Sequence, residues 1–349
     1  MDYLFLDKVP WQYSQAFYHA ACYLGREVLF ILRPASHYVC IGYHQDARQE
    51  IDLEYAFLNN IPVFRREVGG GAVYLDENQL FYQLVLGQNR LDVPANKLEF
   101  YEKFLSPVVE TFRMFGVPAV YKPVNDIVVN NRKISGNGAA QIGNMIVLVG
   151  NFILDFNYEM MSRVLRVPDE KFRDKVYKTM RENLTTIERE IGEMLPVDKL
   201  AMTLVENFKP LLGEMKPVDL DEALVQKAND LVGQMDTPDW LFANDRRRKK
   251  GAQVKIAEGV SVTQNLYKAA GGLIRATVVI SHSVLTSLHL SGDFFFYPPE
   301  RLMDLETALI GIVFERDAIE KRVAEFYAQN QIESPGVEPA DIAQAIFSS

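Results

Sequence analysis

Apolar positions along the chain fall into two periods, one near 3.6 and one near 2, and they mark the elements. Residues 11–24 have the spacing of a helix, and 27–41 hold two apolar strands separated by Arg33-Pro34-Ala35-Ser36. Residues 50–59 predict a short helix, with Asp52 and Glu54 early in it, where the dipole favours negative charge. A strand over 60–66 runs into Gly69-Gly70-Gly71. Beyond the glycines Ala72, Tyr74 and Asp76 alternate with Val73 and Leu75, and strand character continues over 80–85. Residues 98–115 form a long amphipathic helix with an expected bend at Pro107. Strands follow at 118–129, 133–140 and 145–155, then mostly helix over 160–191 and 197–208.

The pattern breaks over 215–240, at Lys216-Pro217 and Thr237-Pro238-Asp239. Beyond it come strands at 253–266 and 273–279, turned by Ala270-Gly271-Gly272, and helices at 299–309, 316–330 and 339–347. The expected fold is α+β, a central mixed or antiparallel sheet flanked by helices, with a smaller α+β C-terminal domain. The expected partition is 1–215 for a catalytic domain, 216–240 for a linker and 241–349 for an accessory domain.

Composition narrows the class. The 349 residues are 48% hydrophobic and 24% charged, with enough chain for two cores. A net charge of -9 does not favour nucleic acid. No apolar run has the length of a membrane span, and no basic segment with an apolar stretch opens the chain, so a cytoplasmic protein is expected. The one basic cluster, Arg246-Arg247-Arg248-Lys249-Lys250, reads as a solvated linker or as a docking patch for an acidic partner. The five histidines, His19, His37, His44, His282 and His289, show no metal-ligand spacing, and there is no GxSxG elbow.

The chemistry concentrates around Arg65-Arg66-Glu67-Val68-Gly69-Gly70-Gly71-Ala72-Val73-Tyr74-Leu75-Asp76. Glycines without Cβ let the backbone approach a ligand closely. Because strands enter and leave them, and neither GxxxxGK[ST] nor GxGxxG is present, P-loop and dinucleotide readings fail. Activating a carboxylic acid with ATP develops negative charge on the α-phosphate and the carbonyl oxygen, which calls for a fixed cation between them. Lys133, within Arg132-Lys133-Ile134-Ser135-Gly136-Asn137-Gly138, is the candidate. The alternative is a type I′ hairpin on Asn130-Asn131 with Lys133 as an ordinary strand residue.

Together these segments resemble the lipoate-protein ligases of the biotin/lipoate A/B ligase superfamily, whose pattern runs RRxSGGGAVxHD, then NDI, then KxSGNA. The matches are Arg65, Arg66, Gly69, Gly70, Gly71, Ala72, Val73 and Asp76, then Asn125, Asp126 and Ile127, then Lys133, Ser135, Gly136 and Asn137. The resemblance implies that Arg66, Gly69, Gly70, Gly71, Ala72, Val73 and Tyr74 hold the nucleotide. It puts Asn125 and Asp126 at its phosphates, Asp126 as the Mg²⁺ carboxylate. Lys133 would touch acyl carbonyl and phosphate, and Gly42 and Gly136 would flank lipoate; Gly42 lies in Ile41-Gly42-Tyr43-His44-Gln45, similar to a family turn near the acyl pocket. Residues 165–188 resemble the segment that closes over the adenylate. ATP, Mg²⁺ and lipoate are the implied cofactors and substrate, and an E2 lipoyl domain, a glycine-cleavage H protein or a lipoate-binding protein is the implied acceptor.

Three positions depart from the family: Val68 for Ser or Thr, Leu75 for His, and Val149 for a His before Gly150. A non-catalytic lipoyl or octanoyl binding protein, a biotin ligase, and an octanoyl ligase or transferase therefore remain as alternatives. The thioester-forming transferases need an accessible thiol. Cys22 and Cys40, the only cysteines, both sit in apolar runs and read as core residues, which favours the ATP-dependent route.

Overall fold

A computed structural model describes residues 1–167, 169–245 and 260–347. Contacts divide the chain into two units. The first comprises Met1–Cys40, Glu50–Arg66 and Val73–Leu241; the second comprises Ile41–Gln49, Glu67–Ala72 and the described part of Phe242–Ser349.

The strands up to residue 217 are β1 (Asp2–Val9), β2 (Val28–Pro34), β3 (Tyr38–Ile41), β4 (Val63–Arg65), β5 (Val73–Leu75), β6 (Gln79–Gly87), β7 (Val120–Lys122), β8 (Asp126–Val129), β9 (Arg132–Ile142), β10 (Met145–Ile153) and β11 (Lys216–Pro217). Eight form one sheet in the order β11-β1-β2-β6-β10-β9-β8-β7. β1 lies parallel to β2 and β11, and the other pairs are antiparallel, so the sheet is mixed. A second sheet has the order β4-β3-β5. The helices over the same stretch and just beyond are α1 (Tyr13–Tyr23), α2 (Ala47–Glu50), α3 (Leu53–Leu58), α4 (Lys97–Met114), α5 (Tyr158–Val164), α6 (Arg173–Asn183), α7 (Ile187–Ile191), α8 (Val197–Leu212), α9 (Glu222–Met235) and α10 (Pro238–Leu241).

Helix α4 shows how the sequence builds the core. The Asn96 side chain accepts from the Leu98 and Glu99 amides and starts the helix. Phe100, Phe104, Val108 and Phe112 recur at i+4 and enter one cluster with Leu200, Leu204 and Phe208 of α8 and Leu84, Leu148 and Phe152 of the sheet. Each such side chain contributes about 1.5–3 kcal/mol on burial. The helix runs through Pro107 as a single span. Proline has no amide to offer the Lys103 carbonyl, and the Ser106 hydroxyl donates to it at 2.8 Å instead.

One segment of the first unit differs from the sequence reading. Residues 216–240, expected as a linker, hold β11, α9 and α10 in the first unit, and α9 packs on α1. Leu224, Ala228, Leu231 and Met235 give α9 a buried helical face, a period that the flanking prolines obscure. Helix α6 is the converse, since among its eleven residues only Arg173 is buried.

The second unit carries β12 (Val260–Ala269), β13 (Gly272–Ser281) and β14 (Val284–Gly292) in an antiparallel meander, with α11 (Arg301–Leu309), α12 (Arg316–Asn330) and α13 (Pro339–Phe347). Ile274, Val278, Leu290, Phe294, Leu305, Ile319 and Ile342 belong to its core. The sequence reading contains no strand at β14. The turn before it is His282-Ser283, with φ 49° and 64° but no glycine to announce it. The basic cluster at 246–250 lies outside the described residues. Among the described residues no helix is long and apolar enough to cross a membrane.

Candidate active site

The β8–β9 hairpin positions Lys133. Asn130 and Asn131 both take positive φ, 50° and 63°, as a two-residue hairpin turn requires. Across the hairpin Asp126 pairs with Gly136, and a bulge lies between Ile127 and Val128. The Lys133 Nζ sits 2.6 Å from Asp126 Oδ1, and both side chains are about one third exposed. An ion pair of that exposure contributes at most about 1 kcal/mol, so a second anion competes for the ammonium at small cost. A Cβ on Gly136 would lie 3.4 Å from Lys133 Cε and 3.8 Å from its Nζ. The lysine side chain therefore lies in ordinary contact over Gly136.

Side-chain amides extend this site. The Gly136 amide donates to Asn151 Oδ1 at 2.9 Å, Asn151 Nδ2 donates to Gln79 Oε1 at 2.9 Å, and Gln79 Nε2 donates to the Tyr74 carbonyl at 2.9 Å. Tyr74, which follows the triple glycine, is thereby tied to the lysine strand. Burial pushes its phenol up to about 12. Gln79 and Asn151 escape the sequence reading; the available signal was an amide inside each of the apolar runs of β6 and β10. On the other side of the backbone, the Lys133 carbonyl accepts from the Thr185 amide at 2.8 Å, so the segment after α6 braces the lysine.

Asn125 faces inward. Its amide donates to the Asn137 carbonyl, and Asn137 Nδ2 returns a bond to the Asn125 carbonyl at 2.9 Å. Tyr82 donates to Asn137 Oδ1, and burial pushes the Tyr82 phenol upward. A Cβ on Gly150 would lie 2.2 Å from Asn137 Oδ1 and 2.3 Å from the Tyr82 hydroxyl, so only glycine fits beside this trio.

The arginine pair divides. Arg65 is fully buried, and its Nε and Nη2 donate to the Leu241 carbonyl at 3.0 and 2.7 Å, while its own carbonyl accepts from Trp240 Nε1 at 2.8 Å. It serves the fold. Arg66 is half-buried and donates to the Cys40 carbonyl at 3.3 Å. Cys40 is fully buried and burial pushes its thiol upward; Cys22 is buried on α1.

In the second unit the glycines have reasons of their own. A Cβ on Gly42 would fall 1.8 Å from the Gly70 carbonyl oxygen, and one on Gly69 would be 2.9 Å from Phe295 Cδ1. Gly70 holds φ 92°. Gly71 meets only ordinary contact, at 3.6 Å from Asp293 Cβ. The Tyr43 amide donates to the Val68 carbonyl at 3.1 Å, and the Gly292 amide to the His44 carbonyl at 3.1 Å. Close chain-to-chain approach therefore accounts for Gly42 and Gly69, and backbone conformation for Gly70. Of the predicted site residues, Lys133, Asp126, Gly136 and Tyr74 come together. Val73 lies in β5 beside Tyr74, Asn125 is held by Asn137, and Gly42, Gly69, Gly70, Gly71 and Ala72 belong to the second unit.

A model of the lipoyl protein ligase A/B catalytic domain matches residues 8–209, more than half of the chain. The chain belongs to this family. The bacterial lipoate protein ligase C-terminus model matches residues 263–346. This lipoyl ligase A/B member is 24% identical over 302 residues to lipoate–protein ligase 1 of Staphylococcus aureus, covering 86% of the chain and 84% of that protein. It is also 23% identical over 225 residues to the octanoyltransferase LipM of Kyrpidia tusciae, covering 58% of the chain and 82% of LipM. Among solved structures, that of a bipartite lipoate protein ligase and its E2 lipoyl domain from Thermoplasma acidophilum superposes with TM-score 0.62 and 27% identity, over 71% of this chain and 98% of that one. A lipoate-protein ligase A bound with ATP superposes with TM-score 0.59 and 24% identity, over 70% and 98%. The α+β fold is thus that of the family, while both ligases and octanoyltransferases stand among its relatives.

Proposed function

We propose that this protein joins lipoate to a lysine of a lipoyl-acceptor protein through a lipoyl-AMP intermediate. The observation that carries the reading is the Lys133 ammonium, paired with the carboxylate of Asp126, which is about one third exposed, and laid over a glycine on a bulged hairpin. In the first step a lipoate carboxylate oxygen bonds to the α-phosphorus of ATP and pyrophosphate leaves. In the second an acceptor lysine nitrogen bonds to the acyl carbon, AMP leaves with the carbon–oxygen bonding pair, and the nitrogen loses a proton. Lys133 sits between the carbonyl oxygen and the phosphate and stabilises charge on each. Tyr74, Arg66 and the backbone at 69–73 hold the nucleotide, Asn125 sets the strand beside its phosphates, and Gly42 and Gly136 leave room for the acyl chain.

Magnesium, when bound, neutralises phosphate charge, and Asp126 is the carboxylate at the site that suits an ion held largely by substrate oxygens. Among the described residues no group of three or more ligating side chains forms a protein-only cage. The relative solved with ATP and the ligase studied with its E2 lipoyl domain support nucleotide and acceptor. Burial of Cys22 and Cys40 tells against a cysteine-bound acyl group.

The test is mass spectrometry of an apo lipoyl domain incubated with ATP, Mg²⁺ and lipoate, octanoate or biotin, using wild type and Lys133→Ala. The expected result is an ATP-dependent lipoyl mass gain, reduced in the variant by about 10²–10³-fold, the usual cost of removing one preorganised donor. Octanoyl gain from an octanoyl thioester without ATP would move the protein to the transferases. Gain with biotin alone would make it a biotin ligase, and no gain with any acid would leave a binding protein.

A further inference from the structure

A cavity of about 560 Å³ in the first unit is lined by Arg132, Tyr177, Lys178, Arg181, Glu182 and Arg189. Its charge contrasts with a chain of net charge -9. Arg132 is neutralised by Glu190 at 2.8 Å. Among the described residues no carboxylate pairs with Lys178, Arg181 or Arg189. Arg189 turns Nη1 onto the Arg181 and Leu184 carbonyls at 2.7 and 3.2 Å, which holds the wall in shape. The Arg181 guanidinium lies 5.8 Å from the Tyr158 ring and 6.0 Å from the Tyr177 ring, so its plane is steadied while its charge stays unmatched.

The wall that carries these cations is α6, a helix of eleven residues that buries only Arg173. An isolated helix of that length is marginal in water, and beyond Arg173 only the half-buried Val176, Tyr177 and Met180 hold α6 to the unit.

The cavity also abuts the reacting strand. Arg132 is the residue before Lys133, and neighbouring strand residues point to opposite faces with Cα atoms about 3.8 Å apart. Thr185, just beyond α6, donates to the Lys133 carbonyl, and its hydroxyl donates to the same Glu190 that holds Arg132.

We propose that this cavity docks an acidic face of the acceptor protein, with carboxylates of the partner matching Lys178, Arg181 and Arg189 beside the strand that carries Lys133. The proposal rests on the ligase reading for the identity of the partner. The recognition is electrostatic: it steers encounter and sets orientation, and it weakens with salt.

The experiment uses the full chain, an acidic apo lipoyl domain as probe, and the charge-reversal pair Lys178→Glu/Arg181→Glu, with Lys178→Gln/Arg181→Gln as the milder variant. Both positions are exposed, and circular dichroism checks that the fold is retained. Three readouts are taken: direct binding of the apo domain by calorimetry, KM for the domain, and lipoate-dependent ATP–pyrophosphate exchange. Charge reversal is expected to weaken binding and raise KM for the domain by at least about tenfold, with the glutamine pair between it and wild type. Domain binding measured without ATP or lipoate is the deciding readout, because Lys178 and Arg181 lie within residues 165–188, which resemble the segment that closes over the adenylate. Raising salt weakens wild type towards the variant. Unchanged domain binding overturns the proposal, as does a loss confined to exchange, which would assign the cavity to the nucleotide. If wild type shows no exchange yet binds the domain through these cations, the ligase reading fails while the docking surface stands.

Discussion

At the scale of single residues, the site separates side chains that act from those that hold shape. Lys133 is joined to a carboxylate about one third exposed, whereas Arg65, four positions before the first of the three glycines, is sealed inside and donates to a main-chain carbonyl. Only exposure and partners distinguish them, and neither is visible in a motif. Asp76 offers a test of how burial enters the site's stability. Burial pushes its carboxyl upward, nearby Asp155 and Glu77 add to the effect, and the Asn78 amide, donating at 2.9 Å, works against it. With the native pKa above the unfolded one, the folded state binds more protons, so its stability falls as pH rises from the ordinary carboxylate range through the raised native value. Asp76→Asn keeps an acceptor for the Asn78 amide and removes this loss. The melting temperature of the variant relative to wild type is therefore expected to rise between pH 4 and pH 7; a constant difference across that range rules the account out.

Elements show where sequence suffices and where it does not. The β8–β9 hairpin was legible because Asn130-Asn131 has local turn chemistry, and so were α4 and the strands β6 and β10, whose periods are long and clean. Helix α9 was obscured by the prolines around it, and β14 by a turn without glycine. The contacts from Gly136 through Asn151 and Gln79 to Tyr74 join residues as much as 77 positions apart, and no local pattern encodes them. Gly150 reports on the same packing of strands. Gly150→Ala places a methyl against Tyr82 and Asn137, which are pinned by hydrogen bonds and have no free end to swing aside. Overpacking of this kind costs about 1–3 kcal/mol. Chemical denaturation is expected to show that loss, together with a slower adenylation step because Asn137 carries Asn125. A neutral substitution would mean that the trio relaxes freely.

At the scale of the whole molecule, the family pattern is divided between units. Lys133, Asp126, Gly136 and Tyr74 lie in the first; the turn with Gly42 and the loop Glu67–Ala72 lie in the second, with the C-terminal residues. The sequence partition at residue 240 placed these loops with the catalytic domain because it followed chain order, whereas their contacts run to Gly292, Asp293, Phe294 and Phe295. His44 stacks on Phe294 with ring centroids 5.5 Å apart, and Gly69 lies under Phe295. Truncation after Leu241 removes these partners while leaving the eight-stranded sheet and its α4–α8 core intact. Hydrogen exchange is then expected to quicken in 41–49 and 67–72, with β6 and β10 as protected as in the full chain. If the backbone at 69–73 holds the nucleotide, lipoate-dependent pyrophosphate exchange falls in parallel with that protection, although no residue of the Lys133 hairpin has been touched. Full protection of both loops in the truncated chain would show that the first unit orders them unaided, and an exchange rate equal to wild type would separate the glycine turn from adenylation.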